Sequence, residues 1–222
     1  MTRAGPLRWA TGSGWLILVG GGEWERTEDI GDRLLGHAAP YLPIAYLPTA
    51  SGSLTSGEPL LRYYADLGGP RAYTVPILDA GDAREQANCD LLVDAGVIII
   101  GDGDPLVLAQ SLRGSPALKA MTKAFARGSL IVGVRRGAVF MGEWVVAEGA
   151  PAGGSRGWGA VTRAVIVPSF VGAERESDLQ EALRMRPGLV GIGLPERTAL
   201  ALGPEGQVET WGEGEVTVVV AR

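Results

Sequence analysis

Three glycine-bearing segments carry the residue types that a ligand site would use: Gly20-Gly21-Gly22-Glu23-Trp24, Gly101-Asp102-Gly103-Asp104-Pro105 and Gly133-Val134-Arg135-Arg136-Gly137. The third has the strand-turn-helix form of a nucleophile elbow, in which glycines on either side let a strained residue project its side chain upward. Its tip is Arg135, and a guanidinium is always protonated and is no nucleophile. His37 is the only histidine and Cys89 the only cysteine. Any Ser-His or Cys-His mechanism must therefore draw on those residues. His37 falls at the end of an expected helix before Pro40, where an imidazolium favours the helix dipole. Cys89 falls within an expected amphipathic helix and reads as a small buried hydrophobe. Lys119 and Lys123, four apart on a helix, read as a solvated face.

Asp102 and Asp104 admit three readings: turn chemistry, since aspartate bonds readily to its own loop; a metal site, although no histidine cluster accompanies them; and neutralisation of Arg135 and Arg136. The last is favoured, because two guanidinium groups in a cleft need counter-charges. Glu23, Glu25 and Glu143 are further candidates for that pairing, and Arg135 is expected to point into the cleft and meet a carboxylate from Asp102, Asp104 or a neighbouring loop, or a bound anion. Trp24, Trp144 and Trp158 could line the pocket, although core packing is their ordinary role.

The elements that must position these residues alternate along the chain. Apolar runs at 15–19, 44–47, 74–78, 97–100 and 129–133 predict strands, and segments 27–38, 58–67, 83–95, 106–112 and 117–126 predict helices. Strands that are apolar on both sides, each followed by a helix, predict a mainly parallel sheet covered on both faces. Ligand sites in such sheets lie at the carboxyl ends of the strands, which is where the three glycine segments fall. After about Val145 the texture changes: a glycine-rich loop at 147–159, a strand at 161–167, a helix at 178–185 and three short strands around Ala199, Val208 and Val216. Gly-Pro-Glu-Gly and Gly-Glu-Gly turns join these last strands as hairpins, which predicts a mixed edge.

The 222 residues fit a single domain over 1–222 with a full core. With 20 basic and 25 acidic residues, net charge −5, and no block of like charges, nucleic acid and anionic membranes are not expected partners. No apolar run reaches spanning length, and a single cysteine excludes an intrachain disulfide and the usual zinc cluster. A reducing, cytoplasmic setting is expected.

In order along the chain, Gly20-Gly21-Gly22-Glu23 and Pro48-Thr49-Ala50-Ser51 resemble the opening turn and second-strand loop of the serine peptidases that include cyanophycinase and aspartyl dipeptidase (peptidase E). Gly101-Asp102-Gly103-Asp104 resembles that family's Gly-Gly-Asn/Asp-Gln oxyanion segment. Gly133-Val134-Arg135-Arg136-Gly137-Ala138, with Met141, resembles its G-T-S-A-G-A elbow. Gly157-Trp158-Gly159 is similar to its Gly-Leu-Gly, and the segment from Gly191 to Leu200 to its Gly-Ile-Asp-Glu-x-Thr-Ala-Leu. The resemblance covers nearly the whole chain. It implies a three-layer α/β fold of the class I glutamine amidotransferase-like, flavodoxin-like kind.

The departures fall on the chemistry. Arg135 stands at the nucleophile serine, Ser169 at the histidine of an Asp-Gln-His-Phe segment with Arg175 downstream, and Glu148 is the only carboxylate between Trp144 and Pro168 that could serve as the acid. The resemblance therefore implies a degenerate member of the family, with Gly101, Asp102, Gly103, Asp104, Arg135, Arg136, Arg175 and Glu23 left to bind a small anion or an acidic peptide. No metal and no cofactor is expected, and a homodimer is left open. The alternative is a hydrolase of acidic peptides that uses rebuilt residues. An unrelated reaction in the same pocket finds no supporting constellation.

Overall fold

The computed structural model describes residues 1–23, 27–147 and 150–220. The chain opens with a hairpin, β1 (Thr2–Ala4) and β2 (Leu7–Trp9), before β3 (Leu16–Val19) and α1 (Glu28–His37). Then follow β4 (Ile44–Leu47), α2 (Glu58–Asp66), β5 (Ala72–Thr74), α3 (Gln86–Val93) and β6 (Val97–Ile100). Two helices, α4 (Pro105–Leu112) and α5 (Pro116–Ala126), lead to β7 (Leu130–Val134) and the short α6 (Arg136–Met141). Beyond it lie β8 (Gly142–Ala147), β9 (Ala150–Arg156), β10 (Val161–Pro168), α7 (Gly172–Met185), β11 (Val190–Leu194), β12 (Thr198–Leu202), β13 (Val208–Gly212) and β14 (Thr217–Val220).

These strands form two sheets. The first has the order β13-β12-β3-β7-β6-β4-β5, parallel from β3 to β5 and antiparallel where β12 joins β3 and β13 joins β12. The apolar runs of its inner strands follow from burial on both sides: Ile17 and Val19 pack with Ile30 and Leu34 of α1 and Leu60 of α2. Leu16 and Leu18 turn to the other face, toward Met121 and Phe125 of α5 and the inner residues of the second sheet. That second sheet runs β1-β2-β10-β11-β14, with β8 also paired to β10 and β9 to β8. Leu179 and Leu183 of α7 cover its outer face through Val165.

The mixed α/β class is as expected, but the second sheet is not legible from the alternation of elements. The hairpin β1-β2 is not legible in the sequence because strands of three residues are too short to show a period; Trp9, fully buried with its indole N–H donating to the Gly203 carbonyl at 3.0 Å, anchors it. The expected glycine loop contains β9, whose Gly154 could not carry a side chain against the Trp144 indole. The C-terminal strands divide: β13 returns on β12 as a hairpin, while β14 leaves to pair with β11. The third of the expected strands lies earlier, at Ala72–Thr74 rather than 74–78, and the last helix starts at Gly172 rather than 178.

Candidate functional site

The elbow is built by exclusion around two glycines. A Cβ on Gly137 would strike the Ile100 carbonyl, and one on Gly133 would meet Ala138, so α6 can leave β7 at this angle only with glycine at both positions. Arg135 between them takes φ 49°, ψ −111°, a conformation that stores about 1–3 kcal/mol in a non-glycine residue. Three consecutive carbonyls of the glycine turn hold the surrounding loops. Val19 accepts from the Arg135 amide at 2.8 Å, Gly20 from Ser169 at 3.1 Å and Gly21 from Arg197 at 2.6 Å. All three donors are non-glycine residues at positive φ. The turn after β3 thus ties the carboxyl ends of β7 and β10 and the loop after β11 into one corner.

Beside this corner lies a cleft of about 580 Å³, between the carboxyl ends of β6, β7 and β10 and one face of α7. It gathers Asp102, Gly103, Asp104, Arg135, Arg136, Ser169 and Arg175 of the expected residues and adds Asp178 and Glu181 from α7. Gly101 lies beneath it, where a side chain would run into the Tyr46 ring and hydroxyl. Burial pushes the Tyr46 phenol up, a hydrogen bond with Ser56 opposes this, and the charge of Asp102 adds to it. Glu23 is exposed on the glycine turn and does not line the cleft. Glu148, Trp24 and Glu25 lie outside the described residues. Among the described residues no group of three or more metal-type side chains gathers.

Of the carboxylates expected to meet Arg135, on Asp102, Asp104 or a neighbouring loop, it is a neighbouring loop that supplies one. Asp104 caps α4, accepting the Leu106 amide at 2.8 Å. Asp102 accepts amides of its own loop and of the elbow. The Arg135 side chain instead lies across Gly21, whose missing Cβ leaves the room, and its Nη2 reaches Glu196 Oε1 at 3.4 Å. Glu196 is the carboxylate that sequence reasoning missed, although it sits inside the segment from Gly191 to Leu200 that carries the family pattern. Its loop is placed by the parallel register of Pro168 with Leu194, so the positions of Arg135, Ser169 and Glu196 meet at one corner. Glu143, also considered for the pairing, accepts the Arg163 amide at 2.7 Å. Trp144 lies under the Arg186 guanidinium, 3.5 Å from its ring centroid, and Trp158 packs on the core; neither lines the cleft.

The only imidazole is at the wrong end of the sheet. His37 stacks on Trp211 (5.5 Å between centroids, 5° between planes) and lies 4.4 Å from Trp15. Trp15 precedes β3, whose far end at Val19 holds the elbow, a separation of about 13 Å along the strand. The helix-end position foreseen for His37 is observed, with an aromatic stack as its setting. Cys89 is buried and Lys119 and Lys123 are exposed.

Similar architecture occurs in a peptidase from an acI-B1 actinobacterium, with TM-score 0.75 and 22% identity over 94% of this chain and 99% of that one. It also occurs in a peptidase E-type protein of Listeria monocytogenes EGD-e, with TM-score 0.67 and 15% identity over 90% and 99%. These similarities speak to the fold. In sequence, the cyanophycinase of Trichormus variabilis is 25% identical over 95% of this chain and 74% of its own length, and that of Geminocystis herdmanii 23% over 79% and 68%. The glycine turn, the elbow and the segment from Gly191 to Leu200 that build this corner all lie within residues 16–208, the span matched by the model of peptidase family S51, and the chain belongs to that family.

Proposed function

We propose that this S51 chain does not run the serine-peptidase reaction and uses its cleft to bind a small anion or an acidic peptide. The observation that carries the reading is the tip of the elbow. A guanidinium held on a carboxylate replaces the hydroxyl that would attack, and the sole imidazole lies at the opposite end of β3. Acyl transfer from an elbow needs a nucleophile and a base within hydrogen-bond reach. Here the position for the base is taken by Ser169, whose hydroxyl donates to the Gly20 carbonyl at 3.4 Å. Anion binding is supported by Arg135, Arg136 and Arg175 around one cleft, although Asp178 draws on Arg175 at 3.4 Å and tempers the field.

The retained, strained elbow favours one competing reading, a hydrolase working through rebuilt residues. Both are tested by assaying the purified protein against aspartyl dipeptides and cyanophycin, alongside Ser169→Ala. No turnover is expected. Turnover that survives in Ser169→Ala removes the inert reading, and turnover that vanishes with it establishes the rebuilt hydrolase.

A further inference from the structure

Asp102 caps the first amide of α6 from a different loop, and the same oxygen ties that loop to the elbow. It stands at the carboxyl end of β6, half-buried, on the lining of the cleft. One oxygen, Oδ1, accepts from two amides on different loops: Gly103 N at 2.8 Å and Arg136 N at 3.3 Å. Arg136 is the residue after the elbow tip. In elbow sites that amide, joined by one from a neighbouring loop, forms the donor pair that stabilises an oxyanion. In this chain the pair converges on a carboxylate oxygen belonging to the protein itself.

We infer that Asp102 is an internal lock on the elbow: its carboxylate occupies the two amides of Gly103 and Arg136 and excludes external oxyanions, whether a carboxylate or a tetrahedral phosphonate, from them. The backbone around the pair is fixed. Gly103 has φ +147° and no room for a side chain against Ala50, and the next amide, Asp104 N, bonds to the Ala50 carbonyl at 2.8 Å. The Arg136 amide is fixed by the elbow, whose tip is bonded to Val19. The Asp102 side chain is therefore the movable part. It leaves by rotation about its Cα–Cβ bond into the cleft, with no change of fold. A lock of this kind reduces the apparent affinity of an outside anion by the fraction of time the pair stands open.

The lock rests on contacts separate from the triad positions, and its test is independent of any hydrolysis. Uniformly 15N-labelled wild-type protein, Asp102→Ala and Asp102→Asn are titrated with methylphosphonate while the amide resonances of Gly103 and Arg136 are followed. In Asp102→Ala both resonances should shift saturably. In the wild type, and in Asp102→Asn, which keeps an acceptor oxygen in place, the apparent affinity should be weaker by roughly tenfold or more. Asp102→Gly provides the same opening should the alanine variant fold poorly. Equal affinity in wild type and open variant overturns the lock, and so does an open variant with an otherwise native spectrum in which neither resonance responds.

Discussion

Arg135 concentrates the residue-scale argument. Its side chain is 40% exposed and that of Glu196 50%, so the ion pair contributes only about 0–1 kcal/mol. The strained backbone beneath it stores more than that. Arg135→Ala should therefore change stability by no more than about 1 kcal/mol, and Arg135→Gly should exceed Arg135→Ala by about 1 kcal/mol because glycine adopts positive φ without strain. Urea unfolding of the three proteins decides this; a loss above ~3 kcal/mol in Arg135→Ala would mark the pair as buried and essential. Rebuilding the triad by Arg135→Ser and Ser169→His, with Glu196 already at the corner, should give little turnover while Asp102 fills the amide pair. Adding Asp102→Gly should raise the rate by roughly 10²-fold, the usual worth of an oxyanion donor. An unchanged rate in the triple variant would leave misplacement of the new groups as the dominant defect.

At the scale of elements, the same substitution should have opposite signs in two helices. Gly137 enters α6 against the Ile100 carbonyl, so Gly137→Ala forces the helix off β6 and should destabilise by about 1–3 kcal/mol. Gly36, near the end of α1, faces open space at ordinary helical dihedrals. Gly36→Ala should stabilise by about 0.5–1 kcal/mol. Thermal melts of both variants check the pair of signs. The β1-β2 hairpin offers a third case. Trp9 is the large buried side chain that fastens it to the core and to Gly203, and Trp9→Ala should remove about 3–5 kcal/mol, measurable as a lower urea midpoint.

For the whole molecule, burial sets the behaviour in alkali. Desolvation pushes the phenols of Tyr46, Tyr64 and Tyr73 up, Tyr64 furthest. A raised folded-state pKa means that the unfolded chain releases the proton first. The stabilisation is complete below the ordinary tyrosine range, near pH ~10, and is lost as pH rises through it. Burial pushes the Cys89 thiol up as well, so stability should be level from neutral pH only up to the ordinary thiol range, ease there, and fall further through the tyrosine range. Tyr64→Phe should flatten the fall, at the expense of little else, since Tyr64 sits in the apolar layer between α2 and the central sheet. Denaturant midpoints measured across pH for both proteins test this; parallel curves would exclude Tyr64 as a contributor.

The sequence by itself determined the parallel core and the elbow. Runs such as Val97–Ile100 are buried on both faces and tolerate no other reading, and a glycine required by a carbonyl collision leaves its mark in the chain. It also determined that a guanidinium stands where an attacking hydroxyl would be. Only the tertiary structure decided what that guanidinium meets. Glu196 lies 61 residues away in the chain and reaches Arg135 through the register of β10 with β11 and the space left by Gly21. The pairing of Asp102 with the Arg136 amide and the removal of His37 to the end of β3 opposite the elbow were decided in the same way. Local pattern reports which face of a strand is buried, because burial is read residue by residue. Which loops meet at a corner depends on strand order and sheet membership, and these are set by the packing of distant segments.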